Sequence, residues 1–196
     1  MNTLYTEEVF RRRNEIGGSI EVICGSMFSG KTEELIRRVN RARIAKVNVE
    51  IFSPVADTRY DKSALVSHNL NSIPSKAVDS SSAILPLANH IQVVGIDEAQ
   101  FFDDEIITVC STLANSGVRV IVAGLDMDFK GRPFGCMPQL MAIADSVTKL
   151  HAVCVKCGQQ AMFSYRLVPN ESKILLGEKE SYEARCRNCF NLDGAI

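Results

Sequence analysis

The chain lacks several features that would narrow its role at once. It has no strong charge excess: 22 Lys and Arg stand against 23 Asp and Glu, a net charge of −1. A broad electrostatic footprint for nucleic acid is therefore not expected, which leaves room only for local patches. No apolar run is long enough to span a bilayer. The opening residues, Met1-Asn2-Thr3-Leu4-Tyr5-Thr6-Glu7, carry neither the basic start nor the apolar stretch of a secretory signal. These absences lead to the expectation of a cytoplasmic protein without membrane or nucleic-acid partners. The sequence also lacks internal repeats and low-complexity segments. Its 196 residues suit one large domain, or one domain with a small appendage.

The most informative stretch is Gly25-Ser26-Met27-Phe28-Ser29-Gly30-Lys31-Thr32. It reads as G-x-x-x-x-G-K-[ST], a phosphate-binding loop. The run Ile20-Glu21-Val22-Ile23-Cys24 before it reads as a buried strand, and apolar residues at helical spacing follow it. The motif thus sits where its mechanism requires. The glycines let the backbone approach phosphate, and the helix N-terminus offers free N–H groups. Lys31 is expected to reach the β- and γ-phosphates, and the Thr32 hydroxyl to ligate Mg²⁺.

A second apolar run, Gln92-Val93-Val94-Gly95-Ile96, ends in Asp97-Glu98. Such a pair alone reads as a helix N-terminus. Beside a phosphate loop, a strand delivering Asp97 suits the holding of hydrated Mg²⁺. Ligands in open α/β sheets bind outside the carboxyl ends of the strands, where Asp97 and the loop can converge.

Further strands are expected at Val47–Phe52, Arg119–Gly124 and Ser146–Val153, and short helices at Ser81–Ala88 and from Asp103 to Ser116. The polar stretch from Asp57 to Pro74 reads as a loop. Alternating strands and helices imply an α/β fold with a parallel sheet flanked by helices. Residues 1–18 read as a charged arm, 19–150 as the nucleotide-binding domain, 151–191 as a second small domain and 192–196 as a tail.

Seven cysteines are present, four of them paired as Cys154-x-x-Cys157 and Cys186-x-x-Cys189. In a reducing compartment two such pairs fit a closed tetrahedral Zn²⁺ site with a structural role. A thioredoxin-like redox motif explains one pair but not two. The segment between the pairs, roughly Met162–Glu183, reads as a flexible flap on a rigid base.

Together with Asp57-Thr58-Arg59-Tyr60, Asp97-Glu98-Ala99-Gln100-Phe101-Phe102, Gly124-Leu125-Asp126-Met127-Asp128-Phe129 and Gly131-Arg132-Pro133-Phe134-Gly135, these motifs resemble the thymidine kinase family of the cytosolic, zinc-containing type. The resemblance runs from Ser19 to Cys189. It implies a RecA-like core, a zinc ribbon carrying a lasso loop, and transfer of the γ-phosphate of ATP to the 5′-hydroxyl of thymidine, and of deoxyuridine, in pyrimidine salvage. It implies Glu98 as catalytic base and places Asp57, Arg59 and Gln100 with the nucleotide. Met27, Phe101, Leu125, Phe129, Phe134 and Tyr182 are implied around the nucleoside, with lasso residues Lys173, Ile174, Leu175, Leu176 and Gly177 on the thymine edge. A homotetramer and feedback inhibition by thymidine triphosphate are implied as well. The competing class is a phosphate-loop ATPase with a nucleic-acid-binding zinc ribbon. A non-enzymatic zinc module would leave the phosphate loop unused.

Overall fold

The computed structural model describes residues 17–55, 64–66, 72–168 and 181–192. Asp57, Arg59, Lys173, Ile174, Leu175, Leu176 and Gly177 lie outside the described residues, as does the arm up to residue 16. In chain order the first elements are β1 (Ser19–Gly25), α1 (Lys31–Ile44), β2 (Val49–Pro54), β3 (Ala64–Val66), β4 (Ser72–Pro74) and β5 (Lys76–Val78). Then come α2 (Ile84–Leu87), β6 (Val93–Ile96), α3 (Ile106–Asn115), β7 (Arg119–Gly124), α4 (Met137–Ile143) and β8 (Ser146–Leu150). Six strands form one parallel sheet in the order β5-β2-β6-β7-β1-β8. This is the α/β architecture expected from the alternation of strands and helices.

Strand alternation explains how the sheet is covered. Successive side chains point to opposite faces. Ile20, Val22 and Cys24 of β1, with Val120 and Val122 of β7, enter a core beneath α3 and α4. Ile23, Ile121 and Ala123 point the other way, onto Leu35, Ile36, Val39 and Ala42 of α1. Both faces of the central strands are therefore apolar, as buried parallel strands require.

Glu21 is the exception in β1. Its carboxylate accepts from Arg38 Nη1 at 2.8 Å and from Arg119 Nε at 2.5 Å. Burial pulls its pKa upward, but Arg119 and Arg38 outweigh that and hold it below the usual value. Arg38 also donates to Glu34 at 2.8 Å and to Thr148 at 2.9 Å, tying α1 across β1 to β8.

Three expectations are corrected. The run Ser146–Val153 is not one strand. β8 stops at Leu150, which pairs with Gly25, and β1 leaves the sheet there to form the phosphate loop. The pairing of β8 with β1 ends at that point, and the strand is interrupted at His151. β9 (Ala152–Val153) then pairs antiparallel with β10 (Gln160–Ala161). Second, the segment Met162–Glu183 is not a flap throughout. β11 (Phe163–Arg166) and β12 (Tyr182–Arg185) form an antiparallel ladder at its two ends. Third, the 57–74 loop contains the antiparallel pair β3–β4. The helix α4 was not foreseen. α5 (Arg187–Leu192) closes the small unit against β11 and β12.

The Glu34 carboxylate is held down to about 2 from an ordinary 4.5. Hydrogen bonds from Arg37 contribute most, burial opposes them, and Arg38 adds to the lowering. A depressed carboxylate stabilises fully above its unfolded value, and the contribution fades as pH falls toward the folded one. Glu34→Gln is therefore expected to lower stability near neutral pH. Its deficit should narrow as the pH falls from about 4.5 toward 2. Denaturant midpoints for both proteins across that range check this, and a constant deficit would rule out the electrostatic account.

Candidate functional site

The phosphate loop is shaped by backbone constraints that its sequence anticipates. A Cβ on Gly25 would lie 2.3 Å from the Leu150 carbonyl oxygen, so only glycine fits where β1 ends. Phe28 and Gly30 both take left-handed conformations, with φ of 64° and 87°. The loop then enters α1, whose first residue is Lys31. Lys31 is buried, and its Nζ donates to the Ser26 carbonyl at 2.8 Å. The ammonium thus points back over the loop whose N–H groups suit an anion. Ser29 Oγ also donates to the Ser26 carbonyl, at 2.8 Å.

Thr32 and Asp97 meet although β7 lies between β1 and β6. Thr32 Oγ1 donates to Asp97 Oδ2 at 3.2 Å. Asp97 is 3% exposed. Burial, then the neighbouring Glu98, pushes its pKa up to about 7, against the pull of the Glu98 N–H, Lys31 and Thr32. A hydroxyl beside a buried carboxylate that is costly to ionise suits a divalent cation.

Strand alternation does not decide how Asp97 and Glu98 diverge, because β6 ends at Ile96. Glu98 has φ 51° and ψ 40°, so the chain turns sharply there. Its carboxylate is partly buried and accepts a short hydrogen bond from Gln100 Nε2. Gln100 is 3% exposed, and its Oε1 accepts the Leu125 N–H at 2.9 Å. Both ends of this amide are thus engaged, its nitrogen by the Glu98 carboxylate and its oxygen by the backbone just after β7.

The aromatic residues singled out from the sequence fall into two contacts. Phe101 and Phe134 meet edge to face, with centroids 5.7 Å apart. Phe129 lies beneath the Arg166 guanidinium, 3.6 Å from its ring centroid. Arg166 also donates to the Tyr182 hydroxyl from Nη2 at 2.6 Å and from Nε at 3.1 Å. Phe129 is presented by a tight turn. Asp128 Oδ1 accepts the Lys130 and Arg132 N–H groups at 2.8 and 3.0 Å.

Sequence reasoning did not single out Ser164 or Arg166, and it gave Asp128 no role beyond its place in the Gly124–Phe129 motif. Ser164 Oγ accepts the Met27 N–H at 2.9 Å, so β11 is fastened to the phosphate loop. Ser164 and Arg166 are two residues apart on one strand and share a face. The alternation in Phe163-Ser164-Tyr165-Arg166 is the signal that would have marked a strand there.

Cys154, Cys157, Cys186 and Cys189 come together, with their four sulfurs within 4.8 Å of one another. Cys157, and after it Cys186, pushes the Cys189 thiol up to about 12. Four thiolates cannot share such a space without a cation, and four soft donors at this spacing fit Zn²⁺. Cys24, Cys110 and Cys136 are buried elsewhere as free thiols, their pKa values raised chiefly by burial. Among the described residues, no helix is long and apolar enough to cross a membrane.

The sequence model of the thymidine kinase family matches residues 18–190. A protein named thymidine kinase from Bacteroides thetaiotaomicron is 64% identical over 173 residues, covering 88% of this chain and 87% of its own. One from Porphyromonas gingivalis is 59% identical over 173 residues, covering 88% and 85%. Another from Rhodothermus is 55% identical over 184 residues, covering 94% and 86%.

The thiol cluster generates a direct test. Elemental analysis of freshly purified protein should find one zinc per chain. Cys157→Ser should lose the metal and increase hydrogen exchange in β9–β12, because binding energy at such sites is folding energy. Protein without zinc that keeps the parent exchange pattern would remove the structural role.

Proposed function

The chain belongs to the thymidine kinase family, and from that premise we propose that it transfers the γ-phosphate of ATP to the 5′-hydroxyl of thymidine, and of deoxyuridine. The observation that carries the mechanism is the meeting of Thr32 with Asp97 across β7, with Glu98 turned out of line beside them. In this reading the loop N–H groups from Gly25 to Thr32 bind the phosphates, and Lys31 exchanges the Ser26 carbonyl for phosphate oxygens. Thr32 and Asp97 would hold the Mg²⁺ that accompanies ATP, which would supply charge neutralisation on the phosphates. Asp57 and Arg59 are assigned to the nucleotide, where Arg59 would offset charge on the transferring group.

Glu98 takes the proton of the attacking hydroxyl. Gln100 completes the nucleotide end of the site through its bond to Glu98. Phe101, Phe134, Leu125, Met27, Phe129 and Tyr182 are assigned to the deoxynucleoside, with residues 173–177 on the thymine edge. Aromatic faces suit a flat pyrimidine. The same reading carries a cytoplasmic salvage role, a homotetramer and thymidine triphosphate as inhibitor. Residues 19–150 are assigned to the nucleotide-binding domain and 151–191 to the small domain, an assignment supported by β8 and β9 lying in different sheets.

ATP consumption measured with thymidine, with single-stranded DNA and with neither tests the reaction. Stimulation by thymidine alone is expected, whereas stimulation by DNA alone would favour a phosphate-loop ATPase. Glu98→Gln should retain both substrates while kcat falls by about 10²–10⁴-fold. Asp97→Asn should instead raise the Mg²⁺ requirement. A magnesium titration of kcat separates them, and rescue of Glu98→Gln rather than Asp97→Asn would reverse the two roles.

A further inference from the structure

Arg166 joins two aromatic side chains that come from separate parts of the chain. Phe129 stands on the Asp128 turn after β7, in the large sheet's connections. Tyr182 opens β12, directly opposite Arg166 in the β11–β12 ladder. The guanidinium lies 3.6 Å from the Phe129 ring centroid and donates twice to the Tyr182 hydroxyl. It also lies 5.2 Å from the Tyr182 ring centroid.

We propose that Arg166 is a positioning residue for the nucleoside: its planar fork sets the relative placement of the Phe129 and Tyr182 rings before substrate arrives. The inference rests on the reading that these two rings border the deoxynucleoside. The chemistry favours arginine specifically. A guanidinium stacks flat on one ring while its edge donates to a hydroxyl, whereas an ammonium is a point charge without a fork. Arg166 is half-buried and Tyr182 is buried, so water competes weakly for either contact. Ser164, on the same face of β11, anchors this strand to Met27 of the phosphate loop. The arginine is therefore presented from a strand already fixed against the core.

Loss of such preorganisation weakens binding of ground state and transition state alike. It raises KM and leaves kcat nearly unchanged. Arg166→Gln should raise the KM for thymidine about tenfold, the scale of one partly buried cation–π contact with its hydrogen bonds. The KM for ATP, the zinc content and the melting temperature should stay at parent values. Arg166→Lys should recover only part of the loss. Tyr182→Phe should raise the thymidine KM in the parent and add little in the Arg166→Gln background, because the acceptor then has no fork to meet.

The proposal is overturned by an unchanged thymidine KM in Arg166→Gln, by full recovery with lysine, or by independent addition of the two substitutions. Lost zinc or a fallen melting temperature in Arg166→Gln would make the residue structural and overturns it as well. A parent protein that fails to phosphorylate thymidine defeats the underlying reading instead, so the two failures are distinguishable.

Discussion

The structure depends on where β1 is forced to leave the sheet. At Gly25 the backbone passes so close to the Leu150 carbonyl oxygen that no side chain fits. Three consequences follow from that crowding. The chain turns into the phosphate loop, β8 loses its partner and ends, and the chain beyond His151 starts a separate ladder. The phosphate loop and the small cysteine unit are therefore two outcomes of one steric event. That places the small unit beside the loop rather than at the far edge of the molecule.

The electrostatics of the site follow from burial at the same edge. Asp97 is delivered into a region where its charge is costly, with Lys31 and the Thr32 hydroxyl as near partners. Lys31 is itself buried and already satisfied by a carbonyl. Each group holds a neutral hydrogen-bond partner that an arriving anion or cation can replace. Glu98 escapes this pairing because the backbone reverses at its left-handed φ of 51°. Two consecutive carboxylates thereby acquire different surroundings, which lets them carry different tasks.

The legible parts of the sequence were those in which chemistry dictates local spacing. Gly25 through Thr32 must be contiguous to wrap a phosphate, and each cysteine pair must span two residues to present both sulfurs. The same holds for β7, whose apolar run Val120-Ile121-Val122-Ala123 buries on both faces. What stayed hidden depends on distant partners. The Met27–Ser164 bond spans 137 positions and leaves no local pattern. The end of β8 is set by a strand more than 120 residues earlier, as the 125-residue separation of the Ile20–Asp145 bond at the other end of the same pair illustrates. Arg166 looks like an ordinary basic residue until Phe129 and Tyr182 are placed on either side of it. The loop reading of 57–74 failed differently: β3 and β4 are three residues each, too short for alternation to show.

The four cysteines sit among small side chains, while the larger apolar groups of the small unit, Phe163 and Phe190, stack on each other at 4.3 Å between β11 and α5. The cluster around the sulfurs consists of Ala152, Ala161, Ala184, Cys154 and Cys186, small side chains with little area to remove from water. A metal across four thiolates supplies the binding energy that such small side chains do not. The phosphate loop leans on the same unit. Phe28 packs against that core while holding a left-handed backbone that costs on the order of 1 kcal/mol. Ser26 Oγ donates to the Ala161 carbonyl at 3.4 Å, and the Met27 N–H donates to Ser164. Three consecutive loop residues thus take their conformation from the small unit. A staple that orders the cysteines therefore also orders the loop, although none of the four sulfurs belongs to the phosphate-binding motif.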